Sequence, residues 1–167
     1  MMKNYKKFIL IFFPFLLFSQ TELFEKKNFI VENDTLRYRI LAPLDYDANK
    51  KYPVHLFLHG AGERGSDNEL QLFHGSNLFL NNNNRKKYKS WVIFPQSPKN
   101  DWWGGYYDHY KYDYDIKRSK SLELVIKLMD IFIEREDVDT NKIYVSGLSM
   151  GGLGTFSTVS YTHLRAH

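Results

Sequence analysis

KIYVSGLSMGG, residues 142–152, is the stretch that decides the fold of this 167-residue chain. Its first part is a short apolar run, Ile143 to Val145, that stops at Ser146-Gly147. Apolar runs that end in turn residues are typical of buried parallel strands. Apolar residues Leu153 and Phe156 follow at helical spacing. We therefore predict a strand over 142–146, a tight turn, and a helix from Met150 onward.

The turn itself carries the pattern Gly147-x-Ser149-x-Gly151, that is, G-x-S-x-G. Between a strand and a helix this pattern indicates a nucleophile elbow, in which the serine has a strained backbone and flanking side chains would collide. Gly147, Gly151 and Gly152 would support the turn. The serine hydroxyl would then stand above the sheet, at a helix N-terminus that favours negative charge. We predict Ser149 as a catalytic nucleophile; the alternative is a glycine-rich turn without chemistry.

A second glycine-rich segment, His59 to Gly65, follows another apolar run, Val54 to Leu58. In a hydrolase of this kind, backbone N–H groups here would face the negative oxygen of a tetrahedral intermediate. We expect Ala61 to be the first choice as donor and Gly62 the second. The other donor would be the N–H of Met150, directly after the serine.

The same segment also contains the Gly60-x-Gly62-x-x-Gly65 spacing of dinucleotide sites. That alternative needs a helix directly after it and a carboxylate about 20 residues on, and no carboxylate is placed there. We therefore predict no cofactor. We expect His59 to brace the loop through its ring nitrogens, since the base follows the serine in hydrolases with this elbow. Glu63 and Arg64 are expected to brace it by pairing.

The rest of the chain alternates between strand and helix signals. Two runs around Asn33-Asp34 predict a hairpin, and further strands are predicted over 54–58 and 91–94. A weak helix is predicted over roughly 69–80, and a clear one over 122–133 with an apolar stripe wide enough to be covered on more than one side. This order predicts an α/β architecture: a mostly parallel sheet with an N-terminal β-hairpin and flanking helices. The basic run 85–89 is expected to be a solvated loop.

Composition excludes several functions. The chain has no cysteine, which rules out thiolate catalysis and disulfides. Its net charge is +4, and three lysines with no acid lie in residues 1–20, so no basic face for nucleic acid remains. Aspartates and a histidine follow Trp103 without a recognised ligand spacing, so no metal is predicted.

The N-terminus predicts a signal peptide over residues 1–20. A positive segment ends at Lys7, an apolar core runs from Phe8 to Phe18, and Ser19-Gln20 offers a cleavage point. The core is shorter than the roughly 20 residues that span a bilayer. We expect a secreted or periplasmic protein without a stable membrane anchor after cleavage; an uncleaved anchor or a buried helix is the alternative.

Residues 36–158 resemble the esterase and predicted-peptidase branch of the α/β-hydrolases, which includes phospholipase/carboxylesterase and polyhydroxybutyrate-depolymerase-like enzymes. The resemblance rests on residues 56–65, on Pro95-Gln96 and on residues 139–152, in the family's order and spacing. It implies ester hydrolysis through an acyl-enzyme, with a Ser–Asp–His triad and no cofactor.

The chain departs from the family after Ser149. The family's acid and histidine follow later strands, whereas only His163 and His167 lie downstream here. If the helix continued, His163 would lie about 21 Å along it, too far to serve as a base. We expect the triad acid and histidine outside this chain, and residues 21–159 to be the N-terminal half of an α/β-hydrolase domain, inactive alone. Residues 160–167 resemble a translated sequencing adaptor and are expected to be a non-native tail.

An aromatic stretch begins at Trp102-Trp103 and continues to Tyr114. It lies on the side where substrate loops gather in open α/β sheets. Trp102 and Trp103 could contact a sugar ring, or the stretch could pack over the helix at Leu122; both interpretations stay open. We expect a serine esterase acting on a small-molecule or acylated-carbohydrate ester. A peptidase of the same fold and a non-catalytic carbohydrate-binding protein are the alternatives.

Overall fold

The computed structural model describes residues 20–104 and 119–161. Residues 1–19 of the signal peptide predicted over 1–20 lie outside the described residues. Residues 105–114 of the aromatic stretch lie outside them as well, as do His163 and His167. None of the helices in the described ranges is long and apolar enough to cross a membrane.

Within residues 20–104 and 119–161, five strands form one sheet in the order β1-β2-β4-β3-β5. They are β1 (Glu25–Val31), β2 (Asp34–Leu41), β3 (Tyr52–Leu58), β4 (Trp91–Gln96) and β5 (Val138–Gly147). β1 and β2 form the predicted hairpin, and β2 pairs antiparallel with β4. β3 lies between β4 and β5 and is parallel to both. The predicted α/β class is confirmed; the sheet is mixed because the hairpin joins the parallel strands through an antiparallel pairing.

In the part of the chain that the structure describes, four helices flank this sheet: α1 (Ser76–Leu80), α2 (Asn82–Lys87), α3 (Lys120–Ile133) and α4 (Met150–Tyr161). Short 3-10 turns occupy Gln20–Leu23, Ala61–Glu63 and Leu70–Leu72. The segment with α1 and α2 links β3 to β4, and the segment with α3 links β4 to β5. The neighbouring strands β3 and β4 therefore have the helical crossover that parallel strands require, and the α3 segment carries the chain past β3 to β5.

The core lies on both faces of the sheet because β3 alternates. Val54, Leu56 and Leu58 are fully buried in a cluster with α3 residues such as Val125 and Met129. Phe57 packs on the other face, in a cluster with Phe24, Leu72, Leu80 and Phe94. β4 is buried at every position, as expected for a strand covered on both sides.

Three expectations about the helices are wrong in detail. The weak helix over 69–80 is broken at Gly75, whose φ of 84° ends any continuous helix. The basic run 85–89, expected as a solvated loop, begins inside helix α2. In α3 the buried face includes Phe132, whereas Ile131 is 58% exposed, so that helix is covered on one side only.

Candidate active site

Ser149 stands in the turn between β5 and α4. Its φ is 52°, in the left-handed region that a non-glycine residue enters only under constraint, and its side chain is exposed. The turn is fixed on both sides by the backbone: Leu148 N–H donates to the Leu58 carbonyl at 3.1 Å, and Gly151 N–H donates to the Leu148 carbonyl at 2.8 Å. The hydroxyl is thus placed at the carboxyl end of β5 and at the start of a helix.

Two of the three glycines leave no room for a side chain. A Cβ on Gly147 would lie 2.2 Å from the Gly151 carbonyl oxygen, and a Cβ on Gly151 would lie 1.9 Å from the Leu58 carbonyl oxygen. Gly152 differs, because a Cβ there would meet nothing closer than 3.8 Å. Its expected supporting role is therefore wrong on steric grounds.

The loop at His59–Gly62 approaches the serine closely. A Cβ on Gly60 would lie 3.8 Å from the Ser149 Cβ and 3.5 Å from the Leu148 carbonyl oxygen. Ala61 opens the 3-10 turn after this glycine, and Met150 is the first residue of α4. Within the described ranges, the backbone N–H groups of Ala61, Gly62 and Met150 have no acceptor in the protein. These three groups are therefore available to an external oxygen.

His59 is a brace, as predicted. It is 1% exposed; its Nδ1 lies 2.6 Å from the Gly60 carbonyl oxygen, and its Nε2 accepts from Ser97 N–H at 3.0 Å. An acceptor Nε2 makes the ring neutral with the proton on Nδ1. Burial lowers the pKa of His59, which favours the same neutral form.

The expected pairing of Glu63 with Arg64 is wrong. Arg64 donates to the carbonyl oxygens of Ala61 at 3.0 Å and Lys99 at 3.1 Å, and its guanidinium lies 4.2 Å from the centre of the Trp102 ring. Arg64 thus directs two of its donors and the face of its guanidinium to groups other than the Glu63 carboxylate. Glu63 is left with one oxygen 3.8 Å from Nε2 of His74.

The two tryptophans have different places. Trp103 is 1% exposed, donates from Nε1 to the His59 carbonyl at 3.0 Å, and contacts the His59 ring edge-on. Trp103 also packs directly against Gly154 of α4, because a Cβ on Gly154 would lie 2.4 Å from the Cβ of Trp103. Trp103 is therefore a core residue that holds the 59–60 loop against α4, which corrects its expected role as a substrate contact. Trp102 is half-buried beside Arg64.

Gln96 organises the loop behind the site. It is 2% exposed, accepts from Asn68 N–H at 2.8 Å, and donates to the Asp67 carboxylate at 2.9 Å and to the Glu63 carbonyl at 3.2 Å. The sequence flagged Pro95-Gln96 only as part of a resemblance. The signal that sequence reasoning missed is the amide side chain of Gln96 at the end of the apolar strand β4. This buried amide holds residues 63–68 in place.

No histidine among the described residues contacts Ser149. His59 is engaged as above, and His74 lies near Glu63. His55 Nε2 lies 2.7 Å from the Ser146 hydroxyl. In residues 20–104 and 119–161 there is also no group of three side chains that could hold a metal ion.

A cavity of about 610 Å³ lies on the opposite side of the sheet from the serine. Leu78 and Phe79 of α1, His55 of β3 and Tyr144 of β5 line it. Ser149, Ala61 and Met150 are absent from its walls, so it is separate from the candidate site.

Comparison with solved structures gives similar folds. The chain aligns with a thermostable esterase at 32% identity and a TM-score of 0.74, over 84% of this chain and 38% of the esterase. It aligns with Thermogutta terrifontis esterase 2 phosphorylated by paraoxon at 20% identity and a TM-score of 0.56, over 87% of this chain and 51% of that esterase. It aligns with a ferulic acid esterase at 20% identity and a TM-score of 0.54, over 78% of this chain and 52% of that esterase. No protein-family model and no curated protein sequence matches.

The sheet and the strand–serine–helix turn, together with these matches, define the α/β-hydrolase fold. The described part of this chain shares that fold with the thermostable esterase. It spans 38% of the length of the thermostable esterase and about half the length of the other two structures.

Proposed function

We propose that the whole protein is a serine hydrolase that cleaves carboxylic esters through an acyl-enzyme. One observation carries the proposal: Ser149 is exposed in a left-handed turn at the end of β5, next to a loop whose N–H groups have no acceptor among the described residues. Strain of this kind persists where the surroundings enforce it and is concentrated at active sites.

The proposed reaction uses the site as follows. The Ser149 oxygen attacks the ester carbonyl, and a base takes its proton. Ala61 and Met150 donate their N–H groups to the negative oxygen, with Gly62 as the alternative donor, and water then releases the acid. The base and its acid partner come from residues other than those described, since His55, His59 and His74 are placed elsewhere. No cofactor takes part.

The proposed substrate class is an ester rather than an amide. The structure at 32% identity is an esterase, and a ferulic acid esterase shares the fold. An acylated carbohydrate is our first proposal, because Trp102 lies half-buried beside the loop and aromatic side chains stack on sugar rings. A peptidase is the second candidate, because an acylaminoacyl peptidase shares the fold at a TM-score of 0.50.

A fluorophosphonate probe on the full-length protein tests this proposal. We expect covalent labelling of wild-type protein and its complete loss in Ser149→Ala. Ser66→Ala is the matched control, because Ser66 is an exposed serine of the neighbouring loop, and this variant should label normally. Labelling that persists in Ser149→Ala, or a wild-type protein that never labels, would favour a non-catalytic carbohydrate-binding protein instead.

We also propose that the protein is exported to the periplasm or the medium and keeps no stable membrane anchor. This proposal rests on the sequence of residues 1–20 alone. The N-terminal residue of the protein purified from cells checks it, and a start near Thr21 is expected.

A further inference from the structure

The carbonyl oxygens of the His59–Gly62 loop are held by side chains, and this determines where its N–H groups point. The peptide bonds of the described residues are trans. In a trans peptide the carbonyl oxygen of one residue and the N–H of the next lie in one plane and point in opposite directions. A side chain that holds a carbonyl oxygen of this loop therefore also orients the N–H group of the following residue.

Two such contacts lie on either side of the Ala61 Cα. The Gly60 carbonyl shares a plane with the Ala61 N–H, and Nδ1 of His59 lies 2.6 Å from its oxygen. The Ala61 carbonyl shares a plane with the Gly62 N–H, and Nε of Arg64 donates to its oxygen at 3.0 Å. Among the described residues no backbone N–H donates to the Ala61 oxygen, because the chain leaves the 3-10 turn at Arg64 with extended backbone. Arg64 therefore supplies the hydrogen bond that orients the second plane.

Arg64 is itself anchored on the loop that follows β4. Its Nη1 donates to the Lys99 carbonyl at 3.1 Å, and its guanidinium lies over the Trp102 ring, 4.2 Å from the ring centre. The Asp101 carboxylate fixes this loop, because it accepts from the N–H and the hydroxyl of Ser121 at 2.7 Å each. Ser121 lies in the first turn of α3. Arg64 thus connects the 3-10 turn beside the nucleophile to a helix that packs on the sheet.

The direction of these N–H groups matters because the proposed reaction depends on them. Donors that are fixed before the reaction stabilise the negative oxygen, whereas mobile donors must first be ordered. A backbone N–H cannot be removed by a side-chain substitution, but the group that holds its peptide plane can. Lysine cannot replace Arg64, because only the planar guanidinium fork binds two carbonyls and lies flat on an aromatic ring.

We propose that Arg64 is a positioning residue that orients the 61–62 peptide and thereby keeps the N–H groups of Ala61 and Gly62 directed at the oxyanion. This inference rests on the proposed function and assigns a further residue to its site. Arg64 acts through the backbone rather than by contact with the ester. Its contribution therefore belongs to the transition state, in which the negative oxygen forms, and is absent from ground-state binding.

Substitution of Arg64 in the full-length protein tests this inference. With p-nitrophenyl butyrate we expect Arg64→Met to lower kcat by about 10- to 100-fold, less than the loss of a whole oxyanion donor, and to leave KM within about threefold. Butyl trifluoromethyl ketone forms a tetrahedral adduct with the serine that carries a negative oxygen, so its Ki should rise by the factor by which kcat/KM falls. Arg64→Lys should restore neither value.

Two controls keep a folding defect apart from a misdirected donor. Fluorophosphonate should label Arg64→Met more slowly than wild type, because the phosphonyl oxygen occupies the oxyanion position, but to the same final stoichiometry at Ser149. Arg85→Met is the matched variant. Arg85 of α2 also donates to a backbone carbonyl, that of Ala42 at 3.3 Å, but it lines the cavity on the opposite side of the sheet. Its kcat, KM and inhibitor Ki should equal those of wild type.

The outcomes separate this inference from the proposed function. Active wild-type protein whose Arg64→Met variant keeps its kcat and Ki, or loses activity only through KM or through the labelled fraction, overturns the inference and leaves the esterase standing. Full activity in Arg64→Lys also overturns it, since a positive charge alone would then suffice. Wild-type protein that neither labels nor hydrolyses any ester overturns both.

Discussion

Gly151 and Gly152 are adjacent at the start of α4, yet a side chain would collide with neighbouring backbone only at Gly151. A Cβ on Gly151 would lie 1.9 Å from the Leu58 carbonyl oxygen, and backbone cannot move aside as a flexible side chain could. We expect Gly151→Ala to lower the free energy of unfolding by about 3 kcal/mol or more. Gly152→Ala should raise it by up to about 1 kcal/mol, because alanine is the better helix former. Urea unfolding of both variants checks this; equal effects would contradict the turn described here.

Single residues also show where sequence reasoning reaches its limit. The bracing role of His59 could be predicted, because a histidine before a glycine at the end of a strand has backbone groups within reach on both sides. The prediction that Glu63 pairs with Arg64 was wrong. Adjacent opposite charges suggest an ion pair, but the guanidinium donates to the carbonyls of Ala61 and Lys99 instead. Lys99 is distant in sequence, so nothing local could reveal that contact.

Helix α2 depends on its first turn. Asn81 precedes the helix, and its side-chain oxygen accepts from the backbone N–H groups of Asn83 at 3.0 Å and Asn84 at 3.2 Å. We expect Asn81→Ala to lower the free energy of unfolding by about 1 kcal/mol through loss of this cap. Asn82→Ala is the matched control, since Asn82 is exposed inside the helix and alanine there should be neutral or slightly stabilising. Chemical denaturation distinguishes the two, and a larger loss in Asn82→Ala would contradict the capping role.

Elements with strong periodicity were predictable, and short polar ones were not. Helix α3 and strands β3 to β5 carry apolar patterns that packing reinforces, so their existence and type could be predicted. Helix α2 has three asparagines and no apolar stripe; it forms because Asn81 caps it and the preceding α1 ends at Leu80. At Gly75 the ring of Phe57 lies 2.5 Å from where a Cβ would be, so a tertiary contact from β3 fixes the break between residues 70 and 76.

At the scale of the whole molecule, alternation of strands and helices predicts the α/β class but not the strand order. β3 lies between β4 and β5 because the connection from β3 to β4 and the connection from β4 to β5 run in opposite directions along the sheet, and no local pattern records that choice. The same order brings the His59–Gly62 loop beside Ser149, since β3 and β5 are neighbours and their carboxyl ends meet. The closeness of this loop to Ser149 therefore follows from the topology, whereas the contacts of Arg64 with Lys99 and Trp102 depend on side-chain packing that only the structure shows.

Stability of the whole molecule should fall in weak acid because two histidines, the partly buried His55 and the buried His59, are neutral. Burial lowers the pKa of His55 to about 4 from its ordinary 6.5, and the pKa of His59 is lowered for the same reason. A lowered histidine pKa means that the unfolded chain binds the proton more readily, so stability is complete above pH 6.5 and declines as the pH falls towards 4. His55 alone should remove about 2 kcal/mol from the free energy of unfolding between pH 7 and pH 5.

The carboxylate with the most strongly lowered pKa, that of Asp137, affects stability only at lower pH. It therefore does not interfere with the measurement on His55 between pH 7 and pH 5. Hydrogen bonds from Arg135 hold the pKa of Asp137 at about 2, below its ordinary 3.8, so its contribution is intact at pH 5 and is lost only as the pH falls from about 4 towards 2. Urea unfolding at pH 7 and pH 5 should therefore show a loss in wild-type protein that shrinks by about 2 kcal/mol in His55→Gln, whose amide can still reach the Ser146 hydroxyl. An unchanged loss in that variant would mean that the pKa of His55 is not lowered in the folded protein.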